Sequence, residues 1–189
     1  MKIEASQRLS AVRIVDQNES YSDVDGQYDL NTYSKKKYGL EIGTNMVGFK
    51  LAVRSDAAKQ NKFIEAFLLH NGVPVGFVSL TRMRVNGIIG PIYMPSSYFL
   101  KDFRKMGYAK AIYKWILNAG TDLISGTTQT RDSHMLWAAL SKEFKVLIYA
   151  NGAILEHPGY DTKFIMLGRN NTKDQLIKRF KLADYTVYG

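Results

Sequence analysis

Residues 88–118 constrain the fold more than any other stretch. The first part, 88–99, is rich in β-branched and aromatic residues and predicts a strand. A short basic turn follows, Arg104-Lys105-Met106-Gly107-Tyr108-Ala109. Ile112, Trp115 and Ile116 then recur at spacings of three and four, which predicts a helix over 108–118 with Gly120 as its C′ glycine. A strand, a basic turn and a helix in that order present backbone N–H groups to an anion. The first N–H groups of a helix lack intrahelical partners and lie at the positive end of its dipole. A phosphate answers both needs. Gly107 has no Cβ to hold a ligand off, and Arg104, Lys105 and Lys110 add charge around the same turn.

The strands before this turn read as antiparallel. Segments 49–54, 63–70 and 73–84 are apolar, and Asn71-Gly72 between the last two is a hairpin signal. Asn86-Gly87 marks the turn into 88–99, where Pro91 and Pro95 predict an edge position or a bulge. After the helix, 122–126, 145–149, 153–155 and 164–167 read as short strands. Thr130, Asp132 and Ser133 are N-cap candidates for a helix carrying Leu136, Trp137 and Leu140, and Thr172 caps a last helix over 173–184. Before Phe49 only 8–16 reads as a strand. Residues 17–27 read as a loop, and 28–38 as a short helix or irregular chain. The 189 residues, 46% hydrophobic, suit a single domain with residues 1–48 as an unassigned N-terminal extension.

Composition removes several chemistries. The chain has no cysteine, which excludes disulfides, thiolate metal sites and a cysteine nucleophile. His70, His134 and His157 show no metal-ligand spacing, so no metal is expected. No apolar run reaches the roughly 18 to 20 residues that cross a bilayer, and the N-terminus lacks a signal-peptide block. A cytoplasmic protein without a membrane partner is the expectation. The net charge of +9 favours polyanionic partners, a nucleotide cofactor, nucleic acid or an acidic protein, without choosing among them.

Arg104-x-x-Gly107-x-Ala109 resembles the pyrophosphate-binding signature of the GNAT superfamily of acyl-CoA-dependent N-acyltransferases. The order of elements over 49–167 is similar to that family's as well. The resemblance implies an α/β (α+β) fold: a mixed, mostly antiparallel central sheet flanked by helices, with a V-shaped cofactor cleft. It implies acetyl-CoA as co-substrate, held by Phe99, Leu100, Arg104, Lys105, Met106, Gly107, Tyr108 and Ala109, with Thr130 at the place of a family asparagine. Segment 123–140 most resembles phage-encoded members. The implied reaction is acetyl transfer to an amine carried by a small molecule, a protein or a nucleic acid, and a homodimer is left open.

Two departures touch the mechanism. Trp137 stands where the family often has a tyrosine acid, and indole donates no proton to a leaving thiolate. Segment 88–99 offers Tyr93, Ser96, Ser97 and Tyr98 but no carboxylate base. His134 and Ser133 remain as the catalytic candidates, with Glu65, Glu156, His157 and Tyr160 as weaker ones. Asp132, Ser133 and His134 are adjacent and cannot form a hydrolase triad. Two other readings stand beside transfer. One is a nucleic-acid-binding or nucleic-acid-modifying protein, from the charge and from Tyr98, Phe99, Phe103 and Tyr108 among basic residues. The other is an acyl-CoA binder without catalysis.

Overall fold

The structure is a computed structural model, and it describes residues 13–15, 40–43, 48–53, 63–159 and 161–186. The sequence expectations for 8–12, 17–38, 55–61 and Tyr160 lie outside these residues. The described strands are β1 (Arg13–Val15), β2 (Leu40–Gly43), β3 (Phe49–Val53), β4 (Phe63–His70), β5 (Val73–Val85), β6 (Ile88–Phe99), β7 (Asp122–Ile124), β8 (Thr128–Thr130), β9 (Val146–Ala150), β10 (Ala153–Leu155), β11 (Lys163–Met166) and β12 (Ala183–Asp184). The described helices are α1 (Tyr108–Asn118), α2 (Arg131–Leu140) and α3 (Lys173–Phe180), with a 3-10 turn at Lys101–Phe103.

The chain divides into two compact units. One comprises Met1–Ser20, Arg82–Met94 and Lys110–Gly189, and the other Tyr21–Thr81 and Pro95–Ala109. The long strands β5 and β6 run through both. In the second unit β2, β3, β4 and β5 pair antiparallel in sequence order. Asn71 and Gly72 take φ of 53° and 79°, as a tight hairpin turn requires. Ala52, Phe67, Leu69, Phe77 and Tyr98 form this unit's core.

In the first unit β9 pairs antiparallel with β10 and β11, and β11 with β7. Parallel pairs join β6 to β7, β10 to β12 and β1 to β8. The result is the mixed, mostly antiparallel sheet with flanking helices that the resemblance implies. The core gathers Ile92, Ile124, Leu147, Ile165, Leu176 and Phe180. Gly90 is required here, because a Cβ would meet the Phe180 ring at 2.4 Å.

Several expectations need correction. β6 is no edge strand: it lies between β5 and β7. Pro91 precedes the ladder to β7, which begins at Ile92↔Asp122 and covers only one further pair, Tyr93↔Leu123. Helix α1 buries Ile112, Tyr113, Ile116 and Leu117, while Trp115 is 38% exposed, so the apolar stripe is rotated from the one predicted. The last helix stops at Phe180, four residues early. Lys181 takes the left-handed conformation (φ 51°), and Ala183 and Asp184 then pair with Ala153 and Ile154 of β10. Strands β8 and β12 are too short to show in the pattern.

The ends of α3 are well fastened. Thr172 and Gln175 form a reciprocal capping box. Lys173 Nζ pairs with Asp184 at 2.7 Å, and the Thr186 hydroxyl donates to the same carboxylate. The Lys173 hydrogen bond is the main reason that the Asp184 carboxyl is lowered from its ordinary 3.8 to about 2. A depressed folded pKa adds stability above the unfolded pKa, and that stability is lost as pH falls through the folded value. Asp184→Asn is therefore expected to flatten the stability-versus-pH curve between about pH 4 and 2, read by urea midpoints. An unchanged acid slope would disprove the role of this carboxylate.

Candidate functional site

The anion-turn residues belong to the second unit up to Ala109. Leu100 N donates to Val75 O at 2.9 Å, which ties the end of β6 to β5. The 3-10 turn closes with Phe103 N to Leu100 O and Arg104 N to Lys101 O. The loop then takes two left-handed residues, Lys105 at φ 59° and Gly107 at φ 83°, on either side of Met106. Backbone that alternates between right- and left-handed residues is the kind that forms anion-binding nests. Lys105, Met106 and Gly107 are exposed. A Cβ on Gly107 would meet nothing within 4 Å, so the space over it is open. The glycine is thus required by its φ, and not by crowding from the protein. Helix α1 starts at the next residue.

Arg104 does not reach outward as a free cation. Its Nε donates to Phe99 O at 2.8 Å, and its guanidinium lies 5.4 Å from the Tyr98 ring centre. It fastens the strand end to the loop. Phe99 is 8% exposed, and its ring fills the space that a side chain at Gly76 would occupy. The Phe99 side chain is therefore core, whatever its backbone contributes.

The loop rests on an aromatic cluster of which sequence reading identified only two members. Phe49 stacks on His70 at 4.8 Å and meets Tyr108 at 4.7 Å, and Phe103 packs edge-on to Phe49 and 5.7 Å from His70. Phe103 and Tyr108 flank the loop, while Phe49 and His70 are opposite each other in the β3–β4 ladder. The pairing of 49–53 with 66–70 is the signal that would have found the second pair. With Tyr98 and Phe99 buried, and Phe103 and Tyr108 in this cluster, the four aromatics pack within the protein. They do not form a row of exposed stacking platforms.

The other predicted residues lie in the first unit, except Glu65, which is in β4 of the second. Thr130 is the N-cap of α2, where its hydroxyl accepts from Ser133 N at 3.2 Å. Ser133 and His134 follow in the first helical turn, both half-buried, and His134 Nδ1 is buried without a hydrogen-bond partner. Trp137 is 3% exposed and belongs to the core. Trp137→Ala is expected to cost about 3 to 5 kcal/mol by chemical denaturation, while Trp137→Phe keeps most activity. A folded Phe variant without turnover would refute the structural assignment. Among the weaker candidates Glu65 is half-buried, and Glu156 and His157 are exposed. No group of three or more His, Asp or Glu able to hold a metal occurs among the described residues. No described helix is long and apolar enough to cross a membrane.

No family profile matches the chain, and no curated protein does. Solved structures give distant likenesses. A GNAT superfamily phosphinothricin acetyltransferase from Sinorhizobium meliloti, in complex with AcCoA, is 13% identical with a TM-score of 0.39, over 62% of this chain and 69% of that one. A GNAT-family acetyltransferase from Streptococcus pneumoniae is 17% identical with a TM-score of 0.39, over 59% and 70%. A putative acetyltransferase from Salmonella typhimurium, with its cofactor acetyl-CoA, is 13% identical with a TM-score of 0.40, over 59% and 67%. At these scores the function rests on the residues of this chain.

Proposed function

We propose that this protein is an acyl-CoA-dependent N-acyltransferase that moves an acetyl group from acetyl-CoA to an amine. The observation that carries this reading is the 104–109 loop: two left-handed residues, an open face above Gly107 and a helix beginning at Tyr108. That arrangement offers backbone donors and the positive end of a helix to a diphosphate. It falls on the residues that resemble the GNAT signature. Lys105 and Lys110 supply further charge, and Arg104 keeps the loop's shape.

Transfer on such a scaffold is direct. The amine nitrogen attacks the thioester carbonyl, the tetrahedral intermediate collapses, and CoA leaves as thiolate while the amine gives up a proton. Backbone N–H groups serve such oxyanions. Ser133 and His134 are our candidates for handling the proton, since hydroxyl and imidazole can both accept and donate one. Calorimetric titration with acetyl-CoA tests the reading. Saturable binding supports it, and the absence of both heat and thermal shift at millimolar acetyl-CoA would sink it.

A further inference from the structure

Within the first unit, the C-terminal half of α1, the turn before β9 and the chain after β11 line a cleft of about 290 Å³. It shares no residue with the 104–109 loop. Helix α1 contributes Lys114 and Asn118, the turn Glu143 and Lys145, and the chain after β11 Arg169 and Asn170. Glu143 does not set the charge of this cleft. Lys114 pairs with one of its carboxylate oxygens, and Lys110 stands 4.0 Å from the other. Lys145 and Arg169 are exposed, and their side chains have no partner among the described residues. Two unpaired cations therefore stand beside a neutral pair. Like charges lining one small cleft repel, and a bound anion relieves them. Asn118 adds a second demand. Its Oδ1 is enclosed without a hydrogen-bond partner, a state that buried polar groups rarely keep.

We propose that this cleft binds a small phosphomonoester carried on a hydroxyl-bearing skeleton. A phosphomonoester brings about 1.5 to 2 negative charges at neutral pH, which matches Lys145 and Arg169. A carboxylate or a phosphodiester brings only one. The guanidinium can meet two phosphate oxygens at once, and the ammonium acts as a point charge. The oxygens of a phosphate dianion only accept hydrogen bonds, so they cannot serve Asn118 Oδ1. A hydroxyl donates and accepts, and so serves either end of that amide. Phe144 and Leu167 give the cleft an apolar wall for a short carbon skeleton. Ligand pockets run from roughly 300 to 1,000 Å³, so a cleft of this size suits a compound of a few carbons. The site does not depend on the acyltransferase reading.

Glycerol 3-phosphate is the probe, titrated by calorimetry in phosphate-free buffer beside inorganic phosphate, methyl phosphate and glycerol. It is expected to saturate at millimolar concentration or below, about tenfold tighter than any of the three. Lys145→Gln with Arg169→Gln should lower that affinity about tenfold or more and leave the melting temperature alone, because both positions are exposed. Asn118→Leu should bring glycerol 3-phosphate down to the affinity of methyl phosphate. Should that variant fail to fold, the parent's Asn118 side-chain NH2 resonance reads the same contact, shifting with glycerol 3-phosphate and not with methyl phosphate. No saturable binding, equal affinity for methyl phosphate, or a double variant that binds like the parent each overturns the site. The double variant also separates rival sources of phosphate. A tenfold loss of acetyl-CoA affinity would assign the two cations to the 3′-phosphate of the cofactor. A single-stranded oligonucleotide that binds the parent more tightly than glycerol 3-phosphate does, and loses that affinity in the variant, would assign them to nucleic acid. Either result overturns the proposal, and unchanged acetyl-CoA affinity with glycerol 3-phosphate lost supports it. If the parent binds no acetyl-CoA, the acyltransferase reading falls and glycerol 3-phosphate still decides the cleft.

Discussion

Gly107→Asp is expected to lower acetyl-CoA affinity by about 100-fold or more, with little loss of fold. Two terms act together. At φ 83° any Cβ is strained, by roughly 1 to 2 kcal/mol, so the loop shifts away from its two left-handed residues. The carboxylate then puts a negative charge where the diphosphate is to sit. Every 1.4 kcal/mol is tenfold in affinity, so strain and repulsion of this size combine to the stated loss. Gly107→Ala isolates the backbone term and should cost about tenfold. Because a Cβ here meets no protein atom, the loss of stability should not exceed that strain of roughly 1 to 2 kcal/mol. Calorimetry on both variants decides the matter. Parent-like affinity in Gly107→Asp would remove the loop from the cofactor site.

The loop was readable because its physics is local. A glycine after basic residues, ahead of a period of three and four, describes a helix start wherever it occurs in a fold. The hairpin turns at Asn71-Gly72 and Asn86-Gly87 were readable for the same reason, since left-handed backbone selects those residues. What failed depended on partners distant in sequence. Trp115 fits the helical stripe as well as Tyr113 does, and only packing decides that Tyr113 is buried. Strands β8 and β12 exist because β1 and β10 pair with them, which no three-residue window reveals. In the candidate site Arg104 was found by motif, but its role was hidden, because its partners are the Phe99 carbonyl and the Tyr98 ring.

Asp122→Ala is expected to destabilise the protein by about 3 to 5 kcal/mol, the usual result of removing one partner from a buried charge network. Read from the sequence, Lys178, Arg179 and Lys181 form a basic cluster on the polar side of the last helix, whose joint change to Gln is expected to leave acyl transfer untouched. Within that cluster Arg179 also has a partner in the fold. Its Nη1 lies 3.3 Å from Asp122 Oδ2, and Asp122 is 1% exposed at the start of β7. The other carboxylate oxygen accepts from Gly168 N and Asn171 Nδ2, each at 2.8 Å, and the Asn171 amide also donates to Gly120 O. Gly168 belongs to the same knot, for a Cβ there would come within 2.4 Å of the Gly120 carbonyl carbon. One carboxylate therefore fastens β7, the turn after α1 and the approach to α3. Removing it leaves the buried Gly168 N–H and part of a guanidinium without their acceptor, and takes one of the two bonds of the half-buried Asn171 amide. Arg179→Gln should cost less, about 1 kcal/mol, because that side chain is partly exposed and water replaces some of the interaction. Lys178→Gln, at an exposed position, should stay within about 0.5 kcal/mol of the parent. Urea midpoints of the three variants give the order directly. An Asp122→Ala protein as stable as Lys178→Gln would mean that the knot contributes nothing, and that the basic cluster is indeed only surface.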